Sequence, residues 1–160
     1  MKKIVLAGLA ATMSLGIVAC SESEPEVLVD EDPNALLGVN ISNARFVMPA
    51  VSGNPAAIYF DLAYTGDRDT VIRRVDVAGA QSATLHETVE QDGSASMVET
   101  FQHRIAAGET VKFEPGGLHV MAMGLASDIT EGAQVEVTLT FVGGDKASFL
   151  APVQGAGEDR

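Results

Sequence analysis

Period-two alternation of apolar residues, regularly spaced turn residues and the lack of any helical hydrophobic period predict an all-β sandwich or barrel with little helix. Val135, Val137, Leu139 and Phe141 alternate with Glu136, Thr138 and Thr140, the pattern of a strand with one buried face. Ile58, Phe60, Leu62 and Tyr64 repeat it around Tyr59, Asp61 and Ala63. Further strands are expected over 39–46, 70–77, 83–90, 96–103, 110–113, 118–123 and 147–153. Thr65-Gly66-Asp67, Asp92-Gly93, Ala107-Gly108, Pro115-Gly116-Gly117 and Gly143-Gly144-Asp145 supply the turns between them.

The two ends read differently from this middle. Lys2 and Lys3 precede an uncharged apolar run that closes on Ile17-Val18-Ala19-Cys20, an export signal over 1–19 too short to span a bilayer. Its last four residues resemble the bacterial lipoprotein cleavage box, which makes Cys20 the lipidated first residue of the mature chain and its acyl group a membrane anchor. Residues 20–35, acidic and containing Pro25 and Pro33, read as a solvated tether. The domain is expected over 36–153, with 46% hydrophobic residues in the whole chain, enough for a core, and a flexible tail over 154–160.

Charge and cysteine usage then remove whole classes of function. The net charge is −12, and loss of Lys2 and Lys3 with the signal leaves 8 basic against 22 acidic residues, or −14. Such a surface repels phosphates, so no nucleic-acid partner is expected. Cys20 is the sole cysteine, which excludes an intrachain disulfide, a cysteine nucleophile and the thiolate ligand of a blue-copper electron carrier. A serine-nucleophile motif, an HExxH helix and a carboxylate pair near the histidines are also missing, so the chain is not expected to be an enzyme.

The run from His86 to Met123 carries the chemistry. Asp92-Gly93 between two strand-like segments is a strong hairpin signal. With those two residues in the turn, Gln91 faces Ser94, Thr88 faces Met97 and His86 faces Glu99. Met97 then lies on the same face as His86, diagonal to it and roughly 7–8 Å away at the backbone. His119 and Met121 are alternate residues of another strand, so both point one way, about 7 Å apart at Cα. Leu118, Val120 and Ala122 point the other way, into the core. Met123 continues the polarizable face as an outer-shell or spare thioether.

A lone methionine is usually core filler and a lone histidine usually a half-exposed polar residue. Two pairs, each placed on one face by strand geometry, are a different case. Two imidazoles and two thioethers form a neutral, soft donor set that suits Cu(I), whereas Zn²⁺ favours cysteine, histidine and carboxylate. Methionine also ligates without losing a proton and cannot be consumed as a disulfide in an oxidising compartment.

The spacing is itself a motif: His86, ten residues, Met97, twenty-one residues, His119, one residue, Met121. With Asn54-Pro55-Ala56-Ala57-Ile58-Tyr59, Thr65-Gly66-Asp67, Leu85-His86-Glu87 and the run Pro115 to Leu125, it resembles the PCuAC family of periplasmic copper chaperones over residues 36–153. The resemblance implies a cupredoxin-like Greek-key β-sandwich or barrel of about eight or nine strands, binding Cu(I) through His86, Met97, His119 and Met121. It implies delivery toward the CuA centre of cytochrome c oxidase, directly to that subunit or through a thiol-containing intermediary, by a lipid-anchored periplasmic protein. Glu87 stands where members commonly carry methionine; on a strand it faces away from His86. His103 lies outside the motif and reads as a surface residue. Copper storage or resistance, and a metal-free interaction lipoprotein, are the competing readings.

Overall fold

The computed structural model describes residues 35–91 and 93–157. The expected signal, Cys20, nearly all of the tether and the last residues of the tail lie outside them. Ten strands follow in order: β1 (Val39–Val47), β2 (Ala56–Tyr64), β3 (Thr70–Val77), β4 (Ser82–Gln91), β5 (Ser94–Thr100), β6 (His103–Ile105), β7 (Thr110–Phe113), β8 (Leu118–Met123), β9 (Gln134–Phe141) and β10 (Lys146–Gln154). No helix occurs among the described residues.

The strands are ordered β5-β4-β8-β7-β2-β1-β10-β9-β3-β6. The parallel pairing of β1 with β10 links two otherwise largely antiparallel halves. The array folds over on itself: Phe60 of β2 packs against Phe149 of β10 at 4.8 Å between centroids, and His103 of β6 lies 6.4 Å from Phe113 of β7. The alternation read in the sequence explains the core. Ile58, Phe60 and Leu62 of β2 and Val137, Leu139 and Phe141 of β9 are all buried, with alternate positions more exposed.

One expected strand divides. The segment 96–103 bends at Phe101 and Gln102, so that β5 stays on β4 while β6 crosses to β3, where His103 pairs with Ile72. The strand count is therefore ten rather than eight or nine. A second irregularity lies in β1, where the register shifts between Ser42 and Arg45 and Asn43 adopts φ +53°. The Nδ2 amide of Asn43 donates to the Asp61 carboxylate at 2.7 Å, and the bulge brings Arg45 opposite Tyr59.

Candidate metal centre

The hairpin forms in the register its turn dictates. Gln91 pairs with Ser94, Thr88 with Met97 and His86 with Glu99. Gly93 has φ +77°, a left-handed conformation that a residue without Cβ adopts freely. What local pattern does not reveal is the other neighbour of β4. It pairs antiparallel with β8, placing His86 directly opposite His119 and Thr84 opposite Met121. The two imidazoles lie 6.0 Å apart between centroids, tilted by 29°.

Strand alternation therefore puts His86, Met97, His119, Met121 and Met123 on one face of β5-β4-β8. The other face of β8 is core: Leu118, Val120 and Ala122 are buried. Met123 lies opposite Ser82 at the far end of β8 from His119 and is partly exposed. His103, expected at the surface, is half-buried against Phe113 and away from this face.

The four residues are not equally gathered. His86, His119 and Met121 sit on adjacent strands within two residues of one another. Met97 lies two strands from His119 and is level with Thr88, so its Cα is roughly 12 Å from that of His119 by standard strand spacing. Its side chain is 61% exposed. Three donors are already adjacent, and the fourth must swing inward to share an ion with them.

Each histidine is held by a residue two positions before it on its own segment. His119 is 5% exposed, one of two buried polar residues among those described. Its Nδ1–H donates to the carbonyl oxygen of Gly117 at 2.9 Å. Because a carbonyl only accepts, the proton sits on Nδ1 and the Nε2 lone pair is left for a ligand. Gly117 is fixed in turn by the loop: its N–H donates to the Glu114 carbonyl at 3.0 Å and Glu114 N–H to that of Leu118 at 2.8 Å, around Gly116 at φ +81°. The Thr84 hydroxyl shares a 2.9 Å hydrogen bond with Nε2 of His86. Toward β2, the Tyr59 ring lies 6.2 Å from that of His119, and the Arg45 guanidinium covers Tyr59 at 4.8 Å.

The electrostatics favour a neutral His86. Partial burial, then the neighbouring His119, lower the pKa of His86, while Glu99 opposes the shift. An imidazole that resists protonation is one that keeps its lone pair for a metal. Among the described residues, no three His, Cys, Asp or Glu side chains gather in one place. A metal held by both histidines would therefore have thioether, hydroxyl or solvent as its further donors. A hollow of about 560 Å³, lined by residues including Arg45, Asp61, Lys112 and Gln154, contains none of the four candidate ligands. The candidate centre lies on a sheet face where His119 is buried, His86 and Met121 are half-buried and Met97 is exposed.

Thr84, Gly117 and Tyr59 escaped the sequence reading. Thr84 and Gly117 had a usable signal, since each precedes a histidine by two positions and so shares its side of the strand or leads into it. Tyr59 had none, because β2 meets β8 only through long-range pairing.

Residues 39–153 match the family model described as "Putative lipoprotein LpqE-like". "Putative lipoprotein Lxx21020" of Leifsonia xyli subsp. xyli (strain CTCB07) is 34% identical over 161 residues, covering 98% of this chain and 95% of that relative. The chain belongs to the LpqE-like lipoprotein family. Among solved structures, this LpqE-like chain is similar to the copper-bound PCuAC domain from PmoF2, with TM-score 0.62 and 20% identity over 76% of this chain and 96% of that one. It is also similar to the solution structure of CuI-DR1885 from Deinococcus radiodurans, with TM-score 0.59 and 25% identity over 79% and 84% of the two chains. The expected PCuAC resemblance and cupredoxin-like all-β fold are both borne out.

Proposed function

We propose that this LpqE-like chain is an exported carrier of Cu(I), anchored to the membrane by lipid on Cys20, and that it hands copper to another protein without catalysing a reaction. The observation that carries this reading is the pairing of His86 with His119, with Met121 on the same face opposite Thr84. Met97 supplies the fourth donor. The copper-bound state of the PmoF2 domain and of DR1885 supports copper as the cargo, and the thioethers favour its monovalent state.

Transfer would proceed by ligand exchange. The exposed Met97 gives way first to a thiolate or imidazole of the partner, and the buried His119 is the last to release. The CuA subunit of cytochrome c oxidase, or a thiol-containing intermediary, is the acceptor that the PCuAC resemblance suggests. Competition for Cu(I) against a chromogenic chelator tests the reading. One equivalent held by the wild type and lost in His119→Ala supports it; failure of the wild type to compete removes it.

A further inference from the structure

The two ends of the strand array are finished differently. β6 ends it with three residues, a short edge of the kind that discourages strand addition. β5 ends it with seven, pairs among the described residues only with β4, and contains neither proline nor lysine. Six of those seven residues are exposed and the last, Thr100, is half-buried. Among the described residues no strand pairs with this outer edge, and an edge of this length offers a row of backbone donors and acceptors to an incoming strand.

Apolar and acidic groups flank the same edge. On the face away from the histidines, Val98 is 50% exposed and Val89 lies beside it on β4, partly exposed. Phe101, just beyond the strand, is 78% exposed. Residues 82–101 include Glu87, Glu90, Asp92 and Glu99 but no lysine or arginine. Arg73 and Arg74 lie with Phe101 around a hollow at the root of the strand, and Arg74 is bound to Asp76 at 2.7 Å. The negative charge of Glu87, Glu90 and Glu99 therefore belongs to the body of the hairpin.

We propose that the outer edge of β5 is the docking strip for the protein that exchanges copper with this chain, and that this partner adds an extended segment carrying lysine or arginine beside an apolar side chain. The proposal rests on the copper-carrier reading and names the partner's chemistry. Main-chain pairing supplies the register, Val98 and Phe101 supply apolar anchors, and the hairpin carboxylates supply attraction. Because Met97 is on β5, a strand laid along this edge brings its own ligands beside the donor that leaves first.

Two synthetic peptides test it, each with the same two cysteines in a valine-rich extended sequence, one flanked by lysines and the other by glutamates. Copper-loaded full-length protein should transfer Cu(I) to the lysine peptide about tenfold faster at low salt. Reversing Glu87 and Glu90 (Glu87→Lys with Glu90→Lys) should abolish that preference with the chelator affinity unchanged. The control reversal of Glu136 and Asp145 on the other half should preserve it. A cysteine-to-serine form of the lysine peptide, added to metal-free protein, should protect the outward amides of β5 from hydrogen exchange. Equal transfer rates, equal loss in both double variants, or no protection of β5 overturns the proposal. Wild-type protein that takes up no Cu(I) overturns the carrier reading instead, and the exchange measurement still tests the strip.

Discussion

β8 and the β4–β5 hairpin each place two candidate donors on one face, yet they are built to opposite specifications. His119 is buried, fixed by the Gly117 carbonyl and packed beside Tyr59, with Met121 next to it between Thr84 of β4 and Ala57 of β2. His86 and Met97 belong to a hairpin whose second strand has an open edge, and Met97 is largely solvated. The difference separates two tasks that a metal carrier must reconcile. In the proposed carrier, the buried, preoriented half would define where the ion sits and the exposed half would let it leave.

If this division holds, losses should fall in order from the buried half to the exposed one. His119→Ala should weaken Cu(I) binding by on the order of 100-fold or more, since it removes a preoriented ligand. It should also cost about 0.5–1.5 kcal/mol of stability, because the bond from Nδ1 to the half-buried Gly117 carbonyl is lost while that carbonyl keeps the Thr88 N–H. Chelator competition and urea unfolding of the metal-free protein read the two effects. Met121→Leu should weaken binding by about 10-fold while stability stays within about 1.5 kcal/mol, the swap nearly conserving volume. Met97→Leu should cost about threefold in affinity, leave stability within about 0.5 kcal/mol and speed copper release in stopped-flow measurements. Equal losses at Met97 and His119 would break the comparison.

The smallest effect concerns protons. The pKa of His86 is lowered on folding, so the unfolded chain binds more protons than the folded one around the ordinary histidine value of about 6.5. The stability of the metal-free protein is then complete above that value and declines as pH falls through it. Urea midpoints between pH 8 and pH 5 should show the decline, and His86→Gln should flatten it. An unchanged slope in that variant would assign the decline to other groups.

The legible and illegible parts of the site divide along similar lines. The register of β4 with β5 was readable because Asp92-Gly93 fixes the turn and period two fixes every partner after it. The shared face of His119 and Met121 followed from alternation alone. The pairing of β4 with β8 was not readable, because strands separated by β5, β6 and β7 carry no local mark of meeting. The break at Phe101 and Gln102 was missed for a related reason: no glycine, proline, asparagine or aspartate marks the point at which 96–103 changes partners. The bulge at Asn43, which carries Arg45 over Tyr59, depends on a side-chain bond to Asp61 on another strand. The sequence thus specifies the two halves, and tertiary pairing alone joins them.

X-ray absorption of the copper-loaded protein tests that joining most directly. One Cu(I) per chain with two nitrogen and two sulfur neighbours is the expected result, with one sulfur lost in Met121→Leu and one in Met97→Leu. A copper shell without sulfur, or one that neither substitution alters, would contradict a single site built from both halves.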